Sequence, residues 1–162
     1  MVTISAENIS VRALTAADLD AVTAIDRLRA GHGRRHFFEK RFIAERQWPD
    51  NFVHVGVEVG GKLKGFAIAR VLRGEHGYTD MTAVVDALGV ERDSRRHGLG
   101  RALIMEMIKV SRGRGVGPIQ SQVHWDDPDL LQFFHATGFV LAPRLALQRP
   151  VADLIEPASE EE

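Results

Sequence analysis

The stretch TAVVDALGV, residues 82–90, is apolar and strand-like, and within a few residues it gives way to the basic glycine loop RRHGLG, residues 95–100. From Gly98 onward the apolar residues Leu99, Ala102, Leu103, Met107 and Val110 fall at helical spacing until the chain breaks at GRGVGP. A strand that turns almost at once into an amphipathic helix calls for a mixed α/β domain with helices laid on a sheet. The join is also where charge accumulates. Three arginines and a histidine surround the start of a helix, an end whose macrodipole already favours negative charge. Free backbone N–H groups in a first helical turn bind anions, and glycines let a phosphate approach the backbone. The expected occupant is therefore a phosphate.

The rest of the chain supplies the sheet and its covering helices. ISVRAL alternates as a short strand, and Thr15 offers an N-cap for a helix carrying Leu19, Val22, Ile25 and Leu28 on one stripe. RRHFFEKRFIAERQW predicts a second helix with Phe38 and Phe42 inward, ended by Trp48-Pro49. NFVHVGVEV and LKGFAIARVL around GGK read as a hairpin. In the 82–90 strand, Gly89 marks a bulge or a point of close approach. PIQSQVHW predicts a strand with Gln120, Gln122 and His124 on one polar face. Asp127-Pro128 opens a last helix that Gly138 stops, and FVLAPRLALQRPV has extended character.

Composition narrows the function. With 162 residues the chain is long enough for one domain with a real core, assigned to residues 1–155, followed by an acidic tail at 156–162. Hydrophobic residues make up 44% and the formal net charge is −1, which disfavours both a disordered chain and a globally basic nucleic-acid binder. There is no cysteine, so a disulfide, a thiolate metal site and a cysteinyl acyl-enzyme are excluded. No signal-peptide pattern or membrane-length apolar run is present, and the expected location is the cytoplasm, without a membrane partner. His32 and His36 stand at helical spacing but without a third ligand in a recognisable motif, so no metal is expected.

GLGRAL fails the dinucleotide fingerprint because Leu103 stands where the third glycine belongs, and no Gly-Lys pair forms a P-loop. What remains is R-x-x-G-x-G at a strand-to-helix turn and, one helix and one strand later, DPDLLQFFHATGF. Together the segments Leu88–Ile104 and Asp127–Phe139 resemble the GNAT family of N-acyltransferases. The resemblance implies a mostly antiparallel central sheet flanked by helices, with a bulged, splayed central strand pair, and acetyl-CoA as co-substrate. It implies that the coenzyme A pyrophosphate lies on the loop Arg95, Arg96, His97, Gly98, Leu99 and Gly100, with charge from Arg96 and Arg101. It implies further that Gly89 is the bulge, that the backbones of Leu88 and Val90 pair with the pantetheine arm, and that Asp127 and Phe134 border the same cofactor. A backbone N–H there would polarise the thioester carbonyl.

Two positions depart from the family pattern. A glutamate often held on the strand before the last helix is Gln122 here, and a tyrosine often used as general acid is Phe134. His124, two residues beyond Gln122, is the candidate substitute base, with a strand-end histidine bonded to backbone as its alternative role, and Asp86 on an otherwise apolar strand is the other candidate, with an arginine ion pair as its alternative role. A thiol has pKa ~8.5, so a departing thiolate tolerates the loss of an acid, and Tyr78 could approach from its loop. The basic segment Arg29–Arg46 borders the acceptor side in the resembling fold. The expected activity is transfer of an acetyl group to a primary amine, a protein lysine, an N-terminus or a small molecule, in a ternary complex. The alternative is an acyl-CoA sensor that has lost chemistry. A homodimer is compatible with either, and a nucleic-acid partner is not expected.

Overall fold

The computed structural model describes residues 8–74 and 79–151, with the side chains of residues 29 and 30 left aside. Tyr78 and the acidic tail lie outside the described residues. Five strands form one sheet in chain order: β1 (Ile9–Ala13), β2 (Phe52–Val59), β3 (Lys62–Arg73), β4 (Met81–Val90) and β5 (Val116–Ser121). The first three pairings are antiparallel and β4–β5 is parallel. That one parallel pair is required by the crossover helix α3 (Leu99–Gly113), which returns the chain to the same end of the sheet. Helices α1 (Leu19–Ala30) and α2 (Arg35–Gln47) connect β1 to β2, and α4 (Pro128–Ala136) follows β5.

Two apolar layers cover the two faces of the sheet. Val53, Val55, Val57, Ala67, Ala69, Ala83 and Val85 pack against Leu99, Leu103 and Met107 of α3. On the other face Phe66, Ile68 and Ala87 meet Val22, Ile25, Phe38 and Phe42 of α1 and α2. Thr15 begins α1 as expected, through a one-turn 3-10 segment in which it forms a capping box with Asp18. Leu28 does not join the core; it is exposed near the end of α1.

The strand-pair irregularity falls elsewhere than expected. Ile68 faces Ala87 while Ala69 faces Val85, so the extra residue in β4 is Asp86, not Gly89. The bulge inverts the alternation: Ala83 and Val85 lie on the α3 face before it, Leu88 and Val90 after it. Gly89 serves instead as a close-approach point, since a Cβ there would stand 2.8 Å from the Phe66 ring and 3.3 Å from Ile25. The strand predicted through His124 also stops early. It ends at Ser121, leaving Gln122, Val123, His124 and Trp125 outside the sheet. The segment after Phe139 forms no strand. No described helix is long and apolar enough to cross a membrane.

Candidate active site

β4 and β5 are paired only as far as Val85 and Ser121. Beyond that point β4 continues for five residues while β5 has ended, and the sheet opens on that side. A cleft of about 390 Å³ occupies the opening, lined by Val85, Asp86, Ala87 and Leu88 of β4, by Ser121 and Gln122, by Leu130 and Phe134 of α4, and by Asp26, His32 and Arg34 from α1 and the turn after it. Gly31 produces that turn: with φ +73° it closes α1 in the left-handed region and carries His32 over the cleft.

Polar groups in the cleft are held by partners. Arg34 donates through Nε and Nη2 to the two carboxylate oxygens of Asp26, at 3.0 and 2.6 Å, and its guanidinium lies 5.3 Å from the centre of the Phe37 ring. The pair raises the Arg34 pKa, chiefly through the hydrogen bond to Asp26. Arg70 donates from Nε to both oxygens of Asp86, while Arg41 Nε stands 3.0 Å from Oδ2 in an ion pair off the angle of a hydrogen bond. Asp86, with its side chain 9% exposed, is thus compensated by two cations. The ion-pair role considered for this residue is what the structure contains.

The glycine loop leaves β4 and enters α3 through backbone of unusual conformation. Arg96 is the one described residue other than glycine with positive φ, at +63°, and Gly98 follows at +78°. Gly98 is the N-cap of α3 and provides no side chain to satisfy the first-turn N–H groups; the first helical bond runs from Ala102 N to Gly98 O. A donor set without a side-chain cap suits an anion, and so fits the phosphate expected from the glycine loop. Arg95, Arg96, His97, Gly98 and Arg101 are exposed around it. Leu99 is different: its side chain is buried in the core, so only its backbone faces the loop. Gly100 also has a packing reason, because a Cβ there would lie 2.8 Å from Cε2 of Phe133. Arg101 donates to the Ala136 carbonyl at 3.3 Å, which joins α3 to α4.

The remaining sequence candidates divide. Leu88, Gln122 and Phe134 line the cleft together, and Gly89 and Val90 continue β4 toward the loop. Asp127 caps α4, its Oδ1 accepting from Leu130 N at 3.0 Å. His124 does not share a strand face with Gln122, because the strand has ended; its side chain is 71% exposed, paired with Asp126 and stacked on the exposed Trp125. Three cations of the basic segment Arg29–Arg46 are paired, Arg34 with Asp26, Arg35 with Asp20 and Glu39, and Arg41 with Asp86, while Arg35, Lys40 and Arg46 remain exposed. His32 and His36 are not one helical pair, since His32 lies in the turn before α2. Among the described residues no three His, Asp or Glu side chains form a group able to hold a metal. Sequence reasoning missed Asp26, Arg34 and the placement of His32, since nothing local announces that a turn at Gly31 folds them over β4.

The matching family model is the acetyltransferase (GNAT) family, over residues 22–139. A [ribosomal protein bS18]-alanine N-acetyltransferase of Escherichia coli (strain K12) is 26% identical over 133 residues, covering 80% of each chain. Among solved structures, AAC(6')-Iy in complex with the bisubstrate analog CoA-S-monomethyl-acetylneamine superposes with TM-score 0.74 at 16% identity, covering 88% of this chain and 97% of that one. An aminoglycoside acetyltransferase from an uncultured soil metagenomic sample, in complex with trehalose, has TM-score 0.73 at 16% identity, covering 90% and 97%.

Proposed function

This chain belongs to the GNAT family of acetyltransferases, and from that premise we propose that it moves the acetyl group of acetyl-CoA to an N-terminal α-amine by direct attack in a ternary complex. The observation that carries the reading is the parting of β4 from β5 beyond Val85 and Ser121. It opens a cleft on the side of the sheet where β4 continues toward the glycine loop and the uncapped start of α3.

In this reading the Arg95–Gly100 backbone and the first turn of α3 hold the pyrophosphate, with Arg96 and Arg101 adding charge. Leu88, Leu130 and Phe134 enclose the pantetheine arm. Acetyl-CoA supplies an activated thioester whose thiolate leaves as the new amide forms. Gln122 orients the acceptor by hydrogen bonding and takes no proton. His32, an imidazole in the cleft wall, receives the amine proton in preference to His124, which is turned to Asp126.

The acceptor class follows from the proton. Both cleft carboxylates, Asp26 and Asp86, are committed to arginines, which leaves a weak base set. An α-amine with pKa near 7.8 is roughly a tenth neutral at pH 7, whereas fewer than about one lysine in a thousand is. A site with little basic assistance is therefore matched to α-amines. The bS18-alanine N-acetyltransferase of Escherichia coli points the same way.

Initial rates on two peptides of one sequence test this, one with a free α-amine and its lysine blocked, the other with the blocking reversed. The α-amine peptide is expected to have a kcat/KM at least about tenfold higher at pH 7. Equal rates, or preference for lysine, would overturn the assignment of acceptor class.

A further inference from the structure

Arg41 is held by charge without a hydrogen bond. Its Nε stands 3.0 Å from Asp86 Oδ2, buried and without an acceptor, and both Asp86 oxygens already accept from Nε of Arg70. Among the described residues Arg41 donates no hydrogen bond, although its side chain is only 26% exposed. A guanidinium is rich in N–H donors, and one this sheltered is ordinarily spent on carboxylate or carbonyl oxygens.

Arg34, Phe37 and Arg41 follow one another on one face of the first turns of α2, three and four residues apart. Both guanidiniums lie on the same ring, that of Arg34 at 5.3 Å and that of Arg41 at 4.9 Å from the centre of Phe37. Arg34 lines the cleft, and Arg41 and Arg70 meet it at Asp86. Arg34 spends Nε and Nη2 on Asp26, which leaves its Nη1 without a partner among the described residues. In this group three guanidiniums stand against two carboxylates, those of Asp26 and Asp86, so positive charge is in excess where donors are unused.

The geometry points to an acceptor subsite in which Arg34 and Arg41, along the Phe37 ring, take the carboxylate of an acidic side chain next to the N-terminal residue; this rests on the α-amine reading given above. A carboxylate supplies acceptors to Arg34 Nη1 and to the Arg41 guanidinium and cancels the excess charge, in a setting sheltered enough for charge-assisted hydrogen bonds to count. A neutral amide brings one oxygen and no charge, and a lysine adds a like charge. The contact lies apart from the reacting amine and is equal in the ground and transition states, so it is read in binding and in KM, not in kcat.

Two lysine-free peptides of otherwise identical neutral sequence, beginning Ala-Glu and Ala-Gln, test the subsite. Their dissociation constants are measured by calorimetry on the chain saturated with coenzyme A, and their initial rates with acetyl-CoA. The Ala-Glu peptide is expected to bind at least about tenfold tighter, with the same factor in KM, and the preference is expected to fall to within about threefold in Arg41→Gln, where Arg70 still compensates Asp86. If Arg41→Gln does not fold, the wild-type preference is read against salt and is expected to shrink between about 0.05 and 0.5 M. Equal affinities, no measurable binding of either peptide, a preference undiminished in folded Arg41→Gln, or one indifferent to salt would overturn the subsite. Acetylation of both peptides at one kcat/KM would overturn it while leaving acetyl transfer intact. Preferential binding of Ala-Glu without acetylation of either peptide would do the reverse, supporting the subsite and contradicting the transfer.

Discussion

Arg70 Nε donates to both carboxylate oxygens of Asp86, at 2.9 and 2.8 Å, across the bulge that Asp86 itself creates between β3 and β4. With Arg41 also at its Oδ2, the carboxylate ties α2 and β3 to the first residue of β4 beyond its last pairing with β5. Removing its charge leaves two partly buried guanidinium groups without their shared counter-ion. Asp86→Asn is expected to lower unfolding stability by about 2–3 kcal/mol in urea titration, the cost of stranding a buried charge, discounted for the partial exposure of both arginines. A change within about 0.5 kcal/mol would show that the ion pairs contribute little.

Gly100 makes a different demand, because the ring of Phe133 occupies the place where its side chain would be. Gly100→Ala is expected to destabilise the fold by about 1–2 kcal/mol, overpacking outweighing the gain in helix propensity. The double variant Gly100→Ala/Phe133→Leu is expected to recover most of that loss, and the acetyl-CoA stabilisation, about 2.7 kcal/mol at a hundred times the dissociation constant, should persist in it. Loss of that stabilisation in a folded double variant would show that Gly100 serves the phosphate and not the helix contact.

His54 gives the fold a pH dependence. Its ring is buried between Phe42 and Phe52, with both nitrogens lacking hydrogen-bond partners, and burial together with Arg41 and Arg114 lowers its pKa from 6.5 to about 4. The unfolded chain therefore binds the proton first. This contribution is complete above pH 6.5 and is lost as pH falls toward about 4, on the order of 3 kcal/mol across the window. His54→Leu should flatten the stability profile between those pH values. A slope unchanged by the substitution would place the titration elsewhere.

Much of the site was readable where the signal is local. The glycine loop and the amphipathic set Leu99, Leu103 and Met107 announce themselves within a few residues, and α3 begins at Leu99 as they imply. The bulge was not readable with the same accuracy, since Gly89 and Asp86 are both plausible interruptions of one strand and the choice is made by register against β3. The strand face expected for His124 fails for a related reason. The alternation in PIQSQVHW continues past Ser121, but the pairing that would make it a strand face does not. The Asp26–Arg34 pair spans the turn at Gly31, and its meeting with β4 is a tertiary fact that no spacing rule contains.

Under the proposed function a bound acetyl group passes directly to an amine in the β4–β5 cleft. Mass spectrometry of one mixture tests it: the chain, acetyl-CoA and a peptide with a free N-terminus, read for peptide, coenzyme A and chain together. Acetylated peptide and free coenzyme A are expected in equal amounts, with many turnovers per chain and a chain mass unchanged throughout. Acetyl-CoA that stabilises the chain yet yields no acetylated product with any amine offered, or an acetyl group found on the chain as a competent intermediate, would contradict it.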